Sequence, residues 1–126
     1  MDSIFDFEEI SSSFIDQYYG LFDDPDKREE LSNFYNSSSS LLSFQGEQIP
    51  GPRISDKFYS LPNQRIKRIV RSMDAQPVGD DRILIHVHGV LQCEEDLPQN
   101  FSQVFLLQSG EHGYFIAHDI FRTQVI

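Results

Sequence analysis

The chain is predicted to fold as one α+β domain spanning residues 1–126, a cone in which a curved, mostly antiparallel sheet wraps a long N-terminal helix. Three observations predict it. An apolar stripe at helical spacing, Phe7, Ile10, Phe14, Tyr18 and Leu21, opens the sequence. Long segments of strand character fill the second half, from Arg65 onward. Between them, Asp24-Pro25 and Pro50-Gly51-Pro52 are start signals for two more helices, three in all. A sheet curved around a helix leaves a cavity at its mouth, so the side chains at that rim decide what the domain does.

In the first helix Ile15 and Phe22 widen the buried stripe, Ser3 or Asp6 supplies a cap, and the early acids suit the helix dipole. Asp24-Pro25 starts a second helix that carries Leu31, Phe34 and Tyr35 inward, and the run Asn36–Ser40 ends it. Leu41–Phe44 reads as a short strand turned by Gly46. A third helix follows Pro50-Gly51-Pro52, with Ile54, Phe58 and Leu61 on one side. Four strands are expected at Arg65–Gln76, Arg82–Gln92, Phe101–Gln108 and Tyr114–Arg122, with Pro77-Val78-Gly79-Asp80 as a turn and Cys93–Asn100 as a polar connection.

Alternation assigns the two faces of the sheet. Ile83, Ile85 and Val87 point into the cone, which leaves Leu84, His86, His88 and Val90 outside. The same parity puts Ile116, His118 and Ile120 outside and Ala117, Asp119 and Phe121 inside. Arg65, Lys67, Arg68 and Arg71 form a basic strand edge, read as solvated surface, with Arg68 a candidate for the rim.

A net charge of −10 repels phosphate and disfavours nucleic acid as a partner, while favouring a basic protein. The acid is local: residues 1–30 hold ten acidic side chains against two basic, and residues 53–82 seven basic against four acidic. The single cysteine, Cys93, has no internal disulfide partner, which fits a reducing compartment. The acidic start does not resemble a signal peptide, and no run of ~18 apolar residues predicts a membrane span. These features predict a soluble intracellular domain, in which the sequons at Asn36 and Asn100 are chance matches.

No phosphate loop, dinucleotide fingerprint, metal-binding helix or nucleophile elbow occurs, so no cofactor is expected. His86 and His88 share a strand face and would need His118 as a third ligand to hold a metal; packing on the outer face is the better account. If these histidines pack neutral in an interface, protonation near pH 5–6 weakens it. Carboxylates beside Cys93 raise its thiol pKa and argue against a nucleophile. An acid–base set of Tyr18, Asp119 and Asp74 is conceivable, yet a structural hydrogen-bonding role suffices for Asp119.

Several segments resemble the nuclear transport factor 2-like family: Ser12-Ser13-Phe14-Ile15-Asp16-Gln17-Tyr18-Tyr19-Gly20-Leu21-Phe22, Phe44-Gln45-Gly46-Glu47-Gln48, Ser60-Leu61-Pro62, Asp74-Ala75-Gln76-Pro77 and His118-Asp119-Ile120-Phe121-Arg122. The resemblance spans nearly the whole chain and implies the cone fold, a homodimer formed through the sheet face, and no chemistry. It implies a carrier that takes the GDP-bound small GTPase Ran into the nucleus through FG-repeat nucleoporins, present in cytoplasm, nucleus and the pore. In the family an aromatic side chain of the GTPase enters the cavity while its lysines pair with acids on the rim. By that resemblance Glu94 and Asp96, in the triplet Glu94-Glu95-Asp96, are the ion-pairing acids, and Phe44 and Tyr18 are the cavity wall. A family segment usually written Trp-Glu-Gly stands here as Phe44-Gln45-Gly46, so Gln45 replaces an expected carboxylate. Phe7, with Phe5 nearby, occupies the family's nucleoporin-binding position, and Leu84, His86, His88, His118 and Ile120 its dimer face. The alternatives are an interaction module of an mRNA-export or stress-granule assembly, disfavoured by the short end after the last strand, and a cone-fold isomerase or dehydratase.

Overall fold

The computed structural model describes residues 6–125. Its elements are α1 (Asp6–Phe22), a 3-10 helix (Arg28–Phe34), β1 (Leu41–Phe44), β2 (Glu47–Pro50), α2 (Gly51–Ser60), β3 (Ile66–Val78), β4 (Arg82–Cys93), β5 (Gln99–Gly110) and β6 (Gly113–Val125). One sheet takes all six strands in the order β2-β1-β6-β5-β4-β3, antiparallel throughout except where β1 runs parallel to β6. This is the expected α+β cone. The cap candidate Ser3 and the candidate Phe5 lie outside the described residues.

Helix α1 buries Ile15, Tyr18, Tyr19 and Phe22, and the rings of Phe14 and Tyr18 each meet Phe105 of β5 at 5.0 Å. Each such side chain contributes on the order of 2 kcal/mol by leaving water. The inward set on β4, Ile83, Ile85 and Val87, is 0–2% exposed, as alternation predicts.

The second helix differs from expectation. Asp24 makes a turn, its carboxylate accepting from the Asp26 amide at 3.0 Å, and the helix starts only at Arg28 as a 3-10 helix. With three residues per turn, Arg28, Leu31 and Phe34 stack along one edge and face the core together. Strand β2 is absent from the sequence expectation because only Ile49 in Glu47–Pro50 is buried. The turn Gln45-Gly46, with φ +53° and +89°, creates it by folding the chain back on β1.

Two bulges modify the parity. In β6, Leu106 pairs with His118 and Leu107 with Ile116, so Ala117 is an extra residue and Ile116 turns inward, fully buried. The outward placement of Ile116 and the inward placement of Ala117 are thereby corrected, while His118, Asp119, Ile120 and Phe121 keep their predicted sides. In β3 Arg71 is the extra residue, opposite Gly89, where a Cβ would come within 2.1 Å of the Ile69 carbonyl oxygen.

Strand β3 is the sheet edge, but Arg68 is neither solvated nor at the rim. Its side chain is 3% exposed and lies over the rings of Tyr19, Phe101 and Phe22 at 4.0, 4.7 and 5.4 Å. Nε and Nη2 donate to the Asp23 carboxylate, while Nη1 has no hydrogen-bond partner and rests in this aromatic cage. The charge is tolerated inside because Asp23 neutralises it.

Candidate functional site

The end of α1, the β1–β2 turn, the loop after α2 and the neighbouring ends of β3, β4, β5 and β6 surround a recess of ≈ 180 Å³, open to one side. Phe22, Phe44 and Phe121 give it aromatic walls and Leu61, Ile66 and Leu91 aliphatic ones. Phe44 and Phe121 stand 5.0 Å apart by ring centre, on the paired strands β1 and β6. An apolar cavity of ~150 Å³ holds a benzene, so this recess fits one aromatic ring.

Arg28 also lines the recess, and it is 5% exposed. Its guanidinium donates to three carbonyl oxygens, those of Phe22 at 2.7 Å, Pro62 at 2.9 Å and Gln64 at 2.8 Å. It thereby ties the end of α1 to the loop after α2. None of the ion pairs among the described residues involves it, and burial lowers its pKa. Sequence reasoning missed Arg28, because an arginine at the start of a short helix reads as surface.

Gln45 lies in the rim turn, and its amide is engaged within the chain. Oε1 accepts from the Thr123 amide at 3.0 Å and Nε2 donates to the Thr123 hydroxyl at 2.6 Å. Lys57 sits 5.0 Å over the Phe44 ring and pairs with Glu47 at 3.1 Å, so the rim near Phe44 carries a neutralised cation.

The acidic triplet begins one residue after Cys93, which lines the recess. Glu94, at φ +47°, accepts from the Arg65 amide at 3.2 Å through Oε1. Asp96 anchors the turn through its amide to the Cys93 carbonyl at 2.8 Å, and its carboxylate makes no hydrogen bond or ion pair among the described residues. Both acids are exposed beside the mouth. Burial, then Asp96, pushes the Cys93 thiol pKa up, in the expected direction.

Tyr18 requires correction. It is 1% exposed and absent from the recess wall, because its hydroxyl belongs to a network inside the cone. The hydroxyls of Tyr18 and Tyr35 lie 2.7 Å apart, and Asp119 accepts from Tyr35 at 2.7 Å, Tyr18 at 3.3 Å and the Gln103 amide at 2.8 Å. Gln103 in turn accepts from Tyr19 at 2.7 Å. Burial raises the Asp119 pKa to about 6, and burial next to Asp119 raises both tyrosines well above their usual range. Asp74 is exposed on the other face of the sheet, so the conceivable acid–base set is not assembled around any cavity.

On the outer face, cross-strand registers give rows Ser72–His88–Ser102–Arg122, Asp74–His86–Val104–Ile120 and Gln76–Leu84–Leu106–His118. Leu84 and Ile120 are 37% and 50% exposed, and Ile69 adds 60%. Strand β5 separates β4 from β6, so His118 shares a row with Leu84 and is not on a strand neighbouring His86, as the metal idea required. Among the described residues no three candidate ligands gather to hold a metal ion. Phe7 is half-buried on the first turn of α1, packed against the edge of the core. No helix of the described residues is long and apolar enough to cross a membrane.

The domain is a helix-filled cone with an open, ring-sized recess at its mouth. The chain belongs to the nuclear transport factor 2 family: the family model for the nuclear transport factor 2 domain matches residues 10–123. It is 38% identical over 125 residues to a probable nuclear transport factor 2 of Caenorhabditis elegans, covering 95% of this chain and 94% of that one. It is 37% identical over 120 residues to nuclear transport factor 2 of Schizosaccharomyces pombe, covering 93% and 95%. Among solved structures, nuclear transport factor 2 from Cryptosporidium parvum superposes with a TM-score of 0.86 at 30% identity, covering 94% of this chain and 95% of that one. Yeast UBP3-associated protein BRE5, with a TM-score of 0.79 at 24% identity and full coverage of both chains, shares the fold. Kinship of this extent supports a role in nuclear transport.

Proposed function

We propose that the chain is an import carrier that binds the GDP-bound GTPase Ran and FG-repeat nucleoporins as a homodimer, and so moves Ran through the pore between cytoplasm and nucleus. The observation that carries this reading is the open aromatic recess with Glu94 and Asp96 beside it. A ring projected by the partner enters between Phe44, Phe121 and Phe22 and leaves water there, while lysines around that ring meet the exposed carboxylates. Burial supplies affinity and charge supplies speed and selectivity. Asp96, with its carboxylate unengaged, is the stronger of the two acids; Glu94 has one oxygen on the Arg65 amide.

Weak apolar contacts at Phe7, with Phe5 beside it in sequence, serve the nucleoporin repeats. A ring pair contributes only ~0.5–1.5 kcal/mol beyond area burial, which suits brief encounters in a meshwork. The outer sheet face, with Leu84, His86, His88, His118 and Ile120, serves the dimer, since exposed apolar side chains there gain by mutual burial. Capture of purified Ran loaded with GDP or with GTP tests the reading. Selective retention of the GDP form supports it, and equal or absent retention of both forms refutes it.

A further inference from the structure

We propose that the recess is also a small-molecule site for a monocyclic aromatic carboxylate, with the ring against Phe22, Phe44 and Phe121 and the carboxylate on Arg28. Size selects the ring: ≈ 180 Å³ accommodates one six-membered aromatic and a short tail but no fused system. Charge selects the tail. Three of the guanidinium's five N–H groups go to the carbonyls of Phe22, Pro62 and Gln64, which leaves two donors in a recess-lining side chain. Arg68 stands behind the same wall, and the Phe22 ring lies 5.4 Å from each of the two guanidinium carbons. Arg68 is neutralised by direct contact with Asp23, whereas Arg28 touches three carbonyl oxygens and, among the described residues, feels the carboxylates of Asp23 and Asp24 only from beyond ion-pair distance. A desolvated cation with no carboxylate in direct contact is the group most improved by a ligand that brings one.

The protein's net charge of −10 works against an anion, but its exposed carboxylates are screened over ~8 Å at physiological salt, and a direct contact with a buried guanidinium is not. This site needs no partner protein, so it is testable on the free chain and its failure leaves the carrier reading untouched. The chain's single cysteine lines the recess and serves as a reporter.

The experiment titrates hydrocinnamate into the intact protein, following amide resonances by NMR and the rate of Cys93 alkylation by iodoacetamide. Its uncharged amide and propionate serve as controls. The expected result is saturable shifts around Phe22, Cys93 and Phe121, slowed alkylation, and binding weaker by about tenfold or more for the amide, as loss of a charged hydrogen bond implies. The amide isolates the contribution of Arg28 without a substitution that endangers folding. Absence of saturable binding up to about 10 mM overturns the proposal, as does equal binding of hydrocinnamate and its amide.

Discussion

The Tyr35 hydroxyl donates to the Asp119 carboxylate over 2.7 Å at a point in the core where Asp119 is 1% exposed. The carboxyl is held there by hydrogen bonds alone, with burial raising its pKa to about 6 against ~3.9 in an unfolded chain. A raised native pKa means that the folded state binds the extra proton. This group's contribution is therefore complete below about pH 4 and is lost as pH rises through about 6, a change on the order of 3 kcal/mol. In Asp119→Asn the titration disappears, and Gln103 can turn its amide, with the Tyr19 hydroxyl accepting in place of donating. The stability difference between variant and parent, measured by urea unfolding, should move in favour of the variant from about pH 4 to about pH 7. A difference constant with pH contradicts the assignment.

Arg28→Met removes the donor from three carbonyls at once, those of Phe22, Pro62 and Gln64. A hydrogen bond to a charged group is worth ~1.5–3 kcal/mol, so even after relief of the buried charge the loss should be on the order of 3 kcal/mol. Arg28→Lys should also destabilise, because an ammonium lacks the planar fork that reaches three acceptors. Urea midpoints of both variants at neutral pH check this; parent-like stability in either contradicts the clamp.

Gln45→Glu should leave the fold intact, since the Thr123 hydroxyl can reverse and donate to a carboxylate while the Thr123 amide keeps its acceptor. It restores negative charge beside the recess and should tighten the complex with GDP-bound Ran by roughly tenfold. Calorimetry measures this, and an unchanged Kd shows that no lysine of the partner comes near.

Phe7→Ala should weaken binding of FG-repeat peptides several-fold and leave capture of the GTPase unaltered, because Phe7 is on α1 and does not line the recess. Parallel loss of both activities in the same preparation would indicate a general disturbance of the fold.

Ile120→Asp places a charge on the outer sheet face at a side chain that is 50% exposed in the single chain. If that face is the dimer contact, sedimentation at micromolar concentration should change from dimer to monomer, with the circular dichroism spectrum preserved. A persistent dimer assigns the contact to another surface.

Little of the recess could be read from local pattern: of its lining, Phe44 and Gln45 were assigned to the rim in advance. Phe44, Gln45, Glu94 and Asp96 were assigned only through the family resemblance; local pattern by itself gave a short strand before a glycine turn and a polar loop after a strand. Tyr18 was placed in the cavity wall by the family resemblance; helical spacing reports only that its side chain is buried, and both a core and a cavity wall satisfy it. Arg28 was missed, and Arg68 was placed in solvent or at the rim, for the opposite reason. A cation is expected in water, and only contacts 34 to 45 residues away in sequence, to Pro62, Gln64 and Asp23, make burial affordable.

The sequence by itself determined the α+β class, the long first helix, the inward faces of β4 and most of β6, and the absence of an internal disulfide. Those properties follow from periodicity and composition, which are local. Only the tertiary structure decided where the parity breaks, at Ala117 and Arg71, and which polar groups lie inside. An extra residue in a strand is set by its partner strand, and a buried charge by neighbours that fold brings to it from distant parts of the chain.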